Sequence, residues 1–261
     1  MHETLLLDKP VVYGSDGFDY AFIALVTLHA LAGGGAVVAG VVALAAKKGR
    51  RVHLAWGKAF VRLMVATALS GIVVDVTRLT FFFTENHTQY AGSATPSSIP
   101  ARIGFLVAAV CILYLARVAR DPRDRRPRPS WERALPWAVV ASALLGAGVV
   151  IARFNPWTGA LWMIATFAGA AIATGRMAPG VAQHRFAMLF LAAFSWWGAF
   201  QGFGPALGRL LGDVESSTAP YTGHLPGGFS FAFFGFLVVW APAFLAAAVM
   251  HVRFARRRLA T

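Results

Sequence analysis

Charge is scarce in this chain, and acidic charge is scarcest. Of 261 residues 13% are charged, with 11 Asp or Glu against 24 Lys or Arg. An ordinary soluble domain carries about 25% charged residues. With 57% hydrophobic residues and a mean hydropathy of +0.61, a soluble globule of this length would expose too much apolar surface to stay dispersed. A bilayer removes that difficulty, because lipid is the solvent for outward-facing apolar side chains.

Other absences narrow the field further. The single cysteine, Cys111, excludes an intramolecular disulfide and any Cys-based metal cage; inside an apolar run it reads as a small hydrophobe. Residues 1–20 are acidic, with Pro10 and two glycines, and lack the basic and apolar regions of a secretory signal, so they read as part of the mature protein. The apolar runs do not alternate as barrel strands do. No Ser, His and Asp set has a recognisable hydrolase spacing. The net charge of +13 is broken into short clusters between apolar segments. Such clusters set membrane topology and form no continuous phosphate-binding face, so a nucleic-acid partner is excluded.

What is present is a succession of long apolar stretches. Crossing about 30 Å of hydrocarbon takes about 20 mostly apolar residues in a helix. Seven segments meet that length or approach it: about 20–46, 59–83, 103–118, 134–152, 157–174, 186–207 and 229–250. The sequence therefore predicts an all-α polytopic bundle of seven transmembrane helices forming a single membrane domain over residues 1–261.

Lys and Arg in the connections give the orientation. The first connection carries Lys47, Lys48, Arg50 and Arg51, with Lys58 and Arg62 at the base of the second span. The third connection carries Arg117, Arg120, Arg123, Arg125, Arg126, Arg128 and Arg133; the fifth carries Arg176 and Arg185; the tail carries Arg253 and Arg256 to Arg258. The opposite side holds Lys9, Arg78, Arg102, Arg153 and Arg209, a split of 19 to 5. The expected topology is N-terminus outside and C-terminus cytoplasmic. The Pro- and Arg-rich loop 121–132 is expected to anchor that topology and to touch anionic lipid.

Polar residues inside the spans are few, and they are the candidates for function. His29 lies near mid-membrane in the first span, ahead of Gly33-Gly34-Gly35. Ala32, Ala36 and Gly40 recur every four residues and leave a nearly bare face for close helix packing. In the outer half of the second span Asp75 and Arg78, three apart, share a face and neutralise one another. Gln201 in the sixth span and Arg153 at the outer end of the fourth sit at similar depth. With His29 these residues are expected to line an outward-facing polar pocket. His53, His184 and His251 fall at the cytoplasmic ends of three spans and form a candidate metal site, although no pair has i,i+3 or i,i+4 spacing. Trp196-Trp197 and Trp240 read as belt or packing residues, as do Trp56, Trp131, Trp137 and Trp157 near predicted interfaces. Pro205 and Pro242 are expected to kink or end their helices.

The stretch from His29 to Gly71 carries a resemblance. It reads His29-Ala-Leu-Ala-Gly33, then Ala39-Gly40, Ala43-Leu44, Lys48-Gly49, His53, Gly57, Met64 and Ala68-Leu69-Ser70. It resembles an uncharacterised bacterial family of predicted multi-pass membrane proteins, which pair a His in the first span with a second His just before the next. His184-Arg185, Met188, Phe190, Gly198 and Gln201-Gly202 resemble the sixth span of that family, with Phe200 standing where a small residue is expected. The resemblance implies a seven-helix fold and an inner-membrane location; it implies no activity.

Three functions follow as alternatives. One is binding or transport of a small polar ligand through the pocket of His29, Asp75, Arg78, Arg153 and Gln201. A second is a b-type haem redox protein with His29 as one axial ligand and His87, His224 or Met163 as the other. The third is an assembly factor whose small-residue faces meet a membrane-protein partner or a second copy of the chain.

Overall fold

The computed structural model describes residues 16–81, 98–119, 130–154, 161, 164–177, 180–210, 224–225, 229–230 and 236–259. Seven α-helices run through them: α1 (Asp16–Ala45), α2 (Arg51–Phe81), α3 (Ser98–Val118), α4 (Leu135–Phe154), α5 (Gly169–Gly175), α6 (Val181–Leu210) and α7 (Ala241–Leu259). A 3-10 turn at Ser130–Arg133 precedes α4, and π-helical turns at Ile164–Ala168 and Phe236–Trp240 lead into α5 and α7. The one β element described is a two-residue antiparallel pair, His224–Leu225 with Phe229–Ser230. Four helical stretches are long and apolar enough to cross a membrane: Tyr20–Ala45, Arg51–Thr80, Trp131–Ala152 and Val238–Ala255.

Each helix overlaps one of the apolar segments, but the boundaries differ for physical reasons. The first connection is a tight turn, closed by Gly49 at φ +78°, with the Arg50 amide donating to the Lys47 carbonyl at 3.2 Å. Left-handed backbone suits glycine, so α2 restarts at once and carries Arg51, His53 and Lys58 on helix. The seventh segment begins later than residue 229, because Phe229–Ser230 pairs with His224–Leu225 and helical backbone starts at Phe236. Pro242 neither ends nor interrupts its helix: it is the second residue of α7, directly after the π-turn. There the wider turn takes up the loss of an amide and the clash of the ring with the preceding carbonyl. Likewise α6 continues through Pro205 to Leu210.

The helices α1 and α2 form the most extensive pair. Ala36, Ala39 and Ala43 are buried against an α2 face that presents Phe60, Met64 and Ala68. At Gly40 even a β-carbon would come within 3.2 Å of the Phe60 ring. The small-residue face of the first span is thus filled from within the chain. The centre of the bundle is aromatic. Phe167, in the first π-turn, stacks on Phe194 at 5.3 Å, and Trp240, closing the second, meets Phe194 edge-on at 4.7 Å. Trp197 and Trp240 are therefore core, whereas Trp56, Trp131, Trp137 and Trp196 are exposed.

The outside of the bundle is as oily as its inside. Leu28, Leu31, Val38 and Leu44 on α1, Leu144 and Leu145 on α4, and Leu245 and Val249 on α7 are exposed. In water such continuous apolar faces would associate; in lipid they are the matched surface.

One end of the bundle collects the basic residues. There the start of α2 meets the end of α1 through His53 and the Ala43 carbonyl, and the start of α6 meets the end of α3 through His184 and the Ala119 carbonyl. Arg117, late in α3, pairs with Glu132 in the turn before α4 at 2.7 Å, and Arg185 of α6 lies 5.9 Å from the Phe254 ring of α7.

Candidate functional site

At the opposite end α1, α2 and α3 share a polar seam. The face of α2 that makes it repeats at helical spacing: Thr67, Gly71, Asp75 and Arg78, with Ser70 beside them. The Asp75 carboxylate is 4% exposed and accepts a hydrogen bond at 3.0 Å from Nη1 of Arg102, itself 8% exposed. The partner comes from the first turns of α3, 27 residues along the chain, because α2 and α3 run antiparallel and bring the two ends together. A buried ion pair with one member removed leaves an uncompensated charge that costs about 3–5 kcal/mol. Asp75 thus lies in a helix apolar enough to span a membrane, and Arg102 of α3 reaches it there.

The Asp75 and Arg78 charges, expected to neutralise one another at i,i+3, do interact, and Asp75 has a second partner besides. The carboxylate bonds across helices to Arg102, which sequence reasoning had counted as a topology charge alone. The Arg78 guanidinium lies over the Phe22 ring at 5.4 Å, and Phe22 is buried on α1. Spacing along α2 foretold that Asp75 and Arg78 share a face. It carried no signal for a partner on the next helix.

His29 faces the same helix one turn deeper. Its Nδ1 lies 3.0 Å from Oγ of Ser70. That hydroxyl has one proton, and the Ala66 carbonyl, 2.7 Å away and one turn back, takes it. Ser70 Oγ is thereby held by the backbone of α2 and set against the His29 ring. Gly71 makes this approach feasible: a β-carbon there would lie 3.1 Å from Cε1 of His29. Thr67 bonds back to the Leu63 carbonyl at 2.8 Å and faces Gly33 of α1.

The structure thus brings His29 and Asp75 into one seam with Ser70 and Arg102, two residues that sequence reasoning missed. Arg78 stands on the same face. Arg153, at the end of α4, and Gln201, within α6, have side chains outside the described residues.

The three other histidines do not converge. His53 Nδ1 is 2.8 Å from the Ala43 carbonyl, His184 Nδ1 is 3.3 Å from the Ala119 carbonyl, and His251 is exposed on α7. Among the described residues no three His, Cys, Asp or Glu side chains gather as metal ligands would. His53 and His184 each stand in the first turn of a helix and donate to a carbonyl at the end of a neighbouring one. Gln183 works similarly, its amide nitrogen donating to the Thr174 carbonyl at the end of α5 at 3.3 Å.

For haem, His29 is the candidate ligand that the seam holds; His87 and Met163 lie outside the described residues, and His224 is described as strand backbone alone.

No family model, curated protein or solved structure matches this chain. The likeness to the uncharacterised bacterial family rests on the residues quoted for it.

Proposed function

We propose that the chain crosses a bacterial inner membrane seven times, with its N-terminus outside and its C-terminus in the cytoplasm, and binds or passes a small polar solute at the α1–α2–α3 seam. The gathering of basic residues at one end of the bundle supports the orientation, since Lys and Arg mark the cytoplasmic side. The observation that carries the functional reading is the buried Asp75–Arg102 pair. A charge in a span is retained where it lines a pathway or a site. The pair offers one anion and one cation to an incoming solute, and the His29 imidazole stands one turn below. The assembly reading is weaker, because the face of Ala36 and Gly40 is already covered by Phe60.

Accessibility tests the site directly. Cys111 is fully buried and gives no background. Ser70→Cys and Thr67→Cys, probed in intact cells with a membrane-impermeant maleimide, are expected to react, and Ala147→Cys in the bundle core is not. Silence at positions 67 and 70 in intact cells, with full reaction after denaturation, would remove the outward-facing pocket.

A further inference from the structure

The basic end of the bundle holds a cleft that the seam does not explain. It has a volume of about 220 Å³ and is lined by Arg185 of α6 and by Met250, Arg253 and Phe254 of α7. Its two sides differ in chemistry. Both arginines are exposed, and the ion pairs among the described residues, Asp75–Arg102 and Arg117–Glu132, involve neither of them. Phe254 is half-buried and lies under the Arg185 guanidinium at 5.9 Å, which steadies that side chain at the rim. Met250 sits one turn back along α7 and extends the apolar floor away from the charged rim toward the span.

We infer that this cleft binds the phosphodiester of an anionic phospholipid from the cytoplasmic leaflet, with an acyl chain laid along Phe254 and Met250. The inference rests on the membrane reading above. Guanidinium forks match phosphate oxygens in charge and geometry, and two of them, in no ion pair with another described residue, hold a net positive field where head groups lie. The floor selects lipid over a soluble phosphate. Free phosphate gains nothing from Met250 and Phe254, whereas an acyl chain gains apolar burial along its length. One helix supplies the floor and one arginine, and the other supplies the second arginine, so a bound lipid also ties α6 to α7.

Purified full-length protein in a neutral detergent tests this by thermal unfolding. Phosphatidylglycerol at ten times its Kd is expected to raise Tm by about 3–6 °C, while phosphatidylcholine and inorganic phosphate leave it unmoved. The Arg185→Gln/Arg253→Gln variant should lose more than half of that rise. Arg50→Gln/Arg51→Gln, which removes the same charge elsewhere at this end, should keep it. An equal rise with inorganic phosphate, an equal loss in the two variants, or a full rise in the Arg185/Arg253 variant would each overturn the site. Whether the protein stays dispersed without detergent is read in the same preparation and judges the membrane reading separately.

Discussion

Gly71 decides whether His29 and α2 can meet. A methyl group there would stand 3.1 Å from Cε1 and 3.6 Å from Nδ1 of the ring, against a rigid imidazole wedged between two helices. Overpacking of this kind costs about 1–3 kcal/mol. Gly71→Ala is therefore expected to lower Tm in detergent and to break the His29–Ser70 bond. Gly148, where an added β-carbon meets nothing within 4 Å, makes the control: Gly148→Ala should be neutral or stabilising by up to about 1 kcal/mol through helix propensity. Equal effects at the two glycines would mean that the His29 contact has no energetic weight. At this scale the sequence was informative about which residues matter and silent about what they touch. A histidine in an apolar run is conspicuous, but its partner Ser70 lies 41 residues away, and no spacing rule connects them.

Helices α2 and α3 are joined at one end by charge. If Asp75 and Arg102 hold each other in a dry site, the two substitutions cannot be additive. Asp75→Asn alone leaves the Arg102 charge buried and is expected to cost about 3–5 kcal/mol. Arg102→Gln alone should cost a similar amount, and the double variant less than either sum. The measurement is a double-mutant cycle by thermal or denaturant unfolding in one detergent. Additive losses would place the two side chains in separate, solvated surroundings. Helix existence was legible in the sequence, because an apolar run of this length has one economical form in a bilayer. Helix ends were not. The expected start of the second span at residue 59 followed from the thickness of hydrocarbon, whereas the backbone turns at Gly49 and is helical from Arg51. The charged first turns, Arg51 to Lys58, are continuous with the apolar helix that follows them. The π-turns before α5 and α7 were illegible for another reason. They arise where Phe167 and Trp240 must reach one aromatic cluster, a demand of tertiary packing that no local pattern carries.

The whole molecule is organised by its two solvents and its two ends. Large apolar side chains face outward on α1, α4 and α7, small and aromatic ones fill the interior, and basic residues crowd one end. The charge asymmetry was legible from the first reading, since it needs only a count along the chain. The gathering of those charges at one end came from contacts: His53 to Ala43 and Arg117 to Glu132 close neighbouring connections, and His184 to Ala119 joins helix ends 65 residues apart. The central claim is that these oily helices lie in lipid with the basic end in the cytoplasm. A fluorescent protein that matures only in the cytoplasm, fused after Thr261, combined with a protease-sensitive tag placed before Met1, measures it most directly. The account predicts a fluorescent membrane fraction in which external protease removes the N-terminal tag from intact cells. Both ends on the same side, or fluorescence in the soluble fraction, would contradict it.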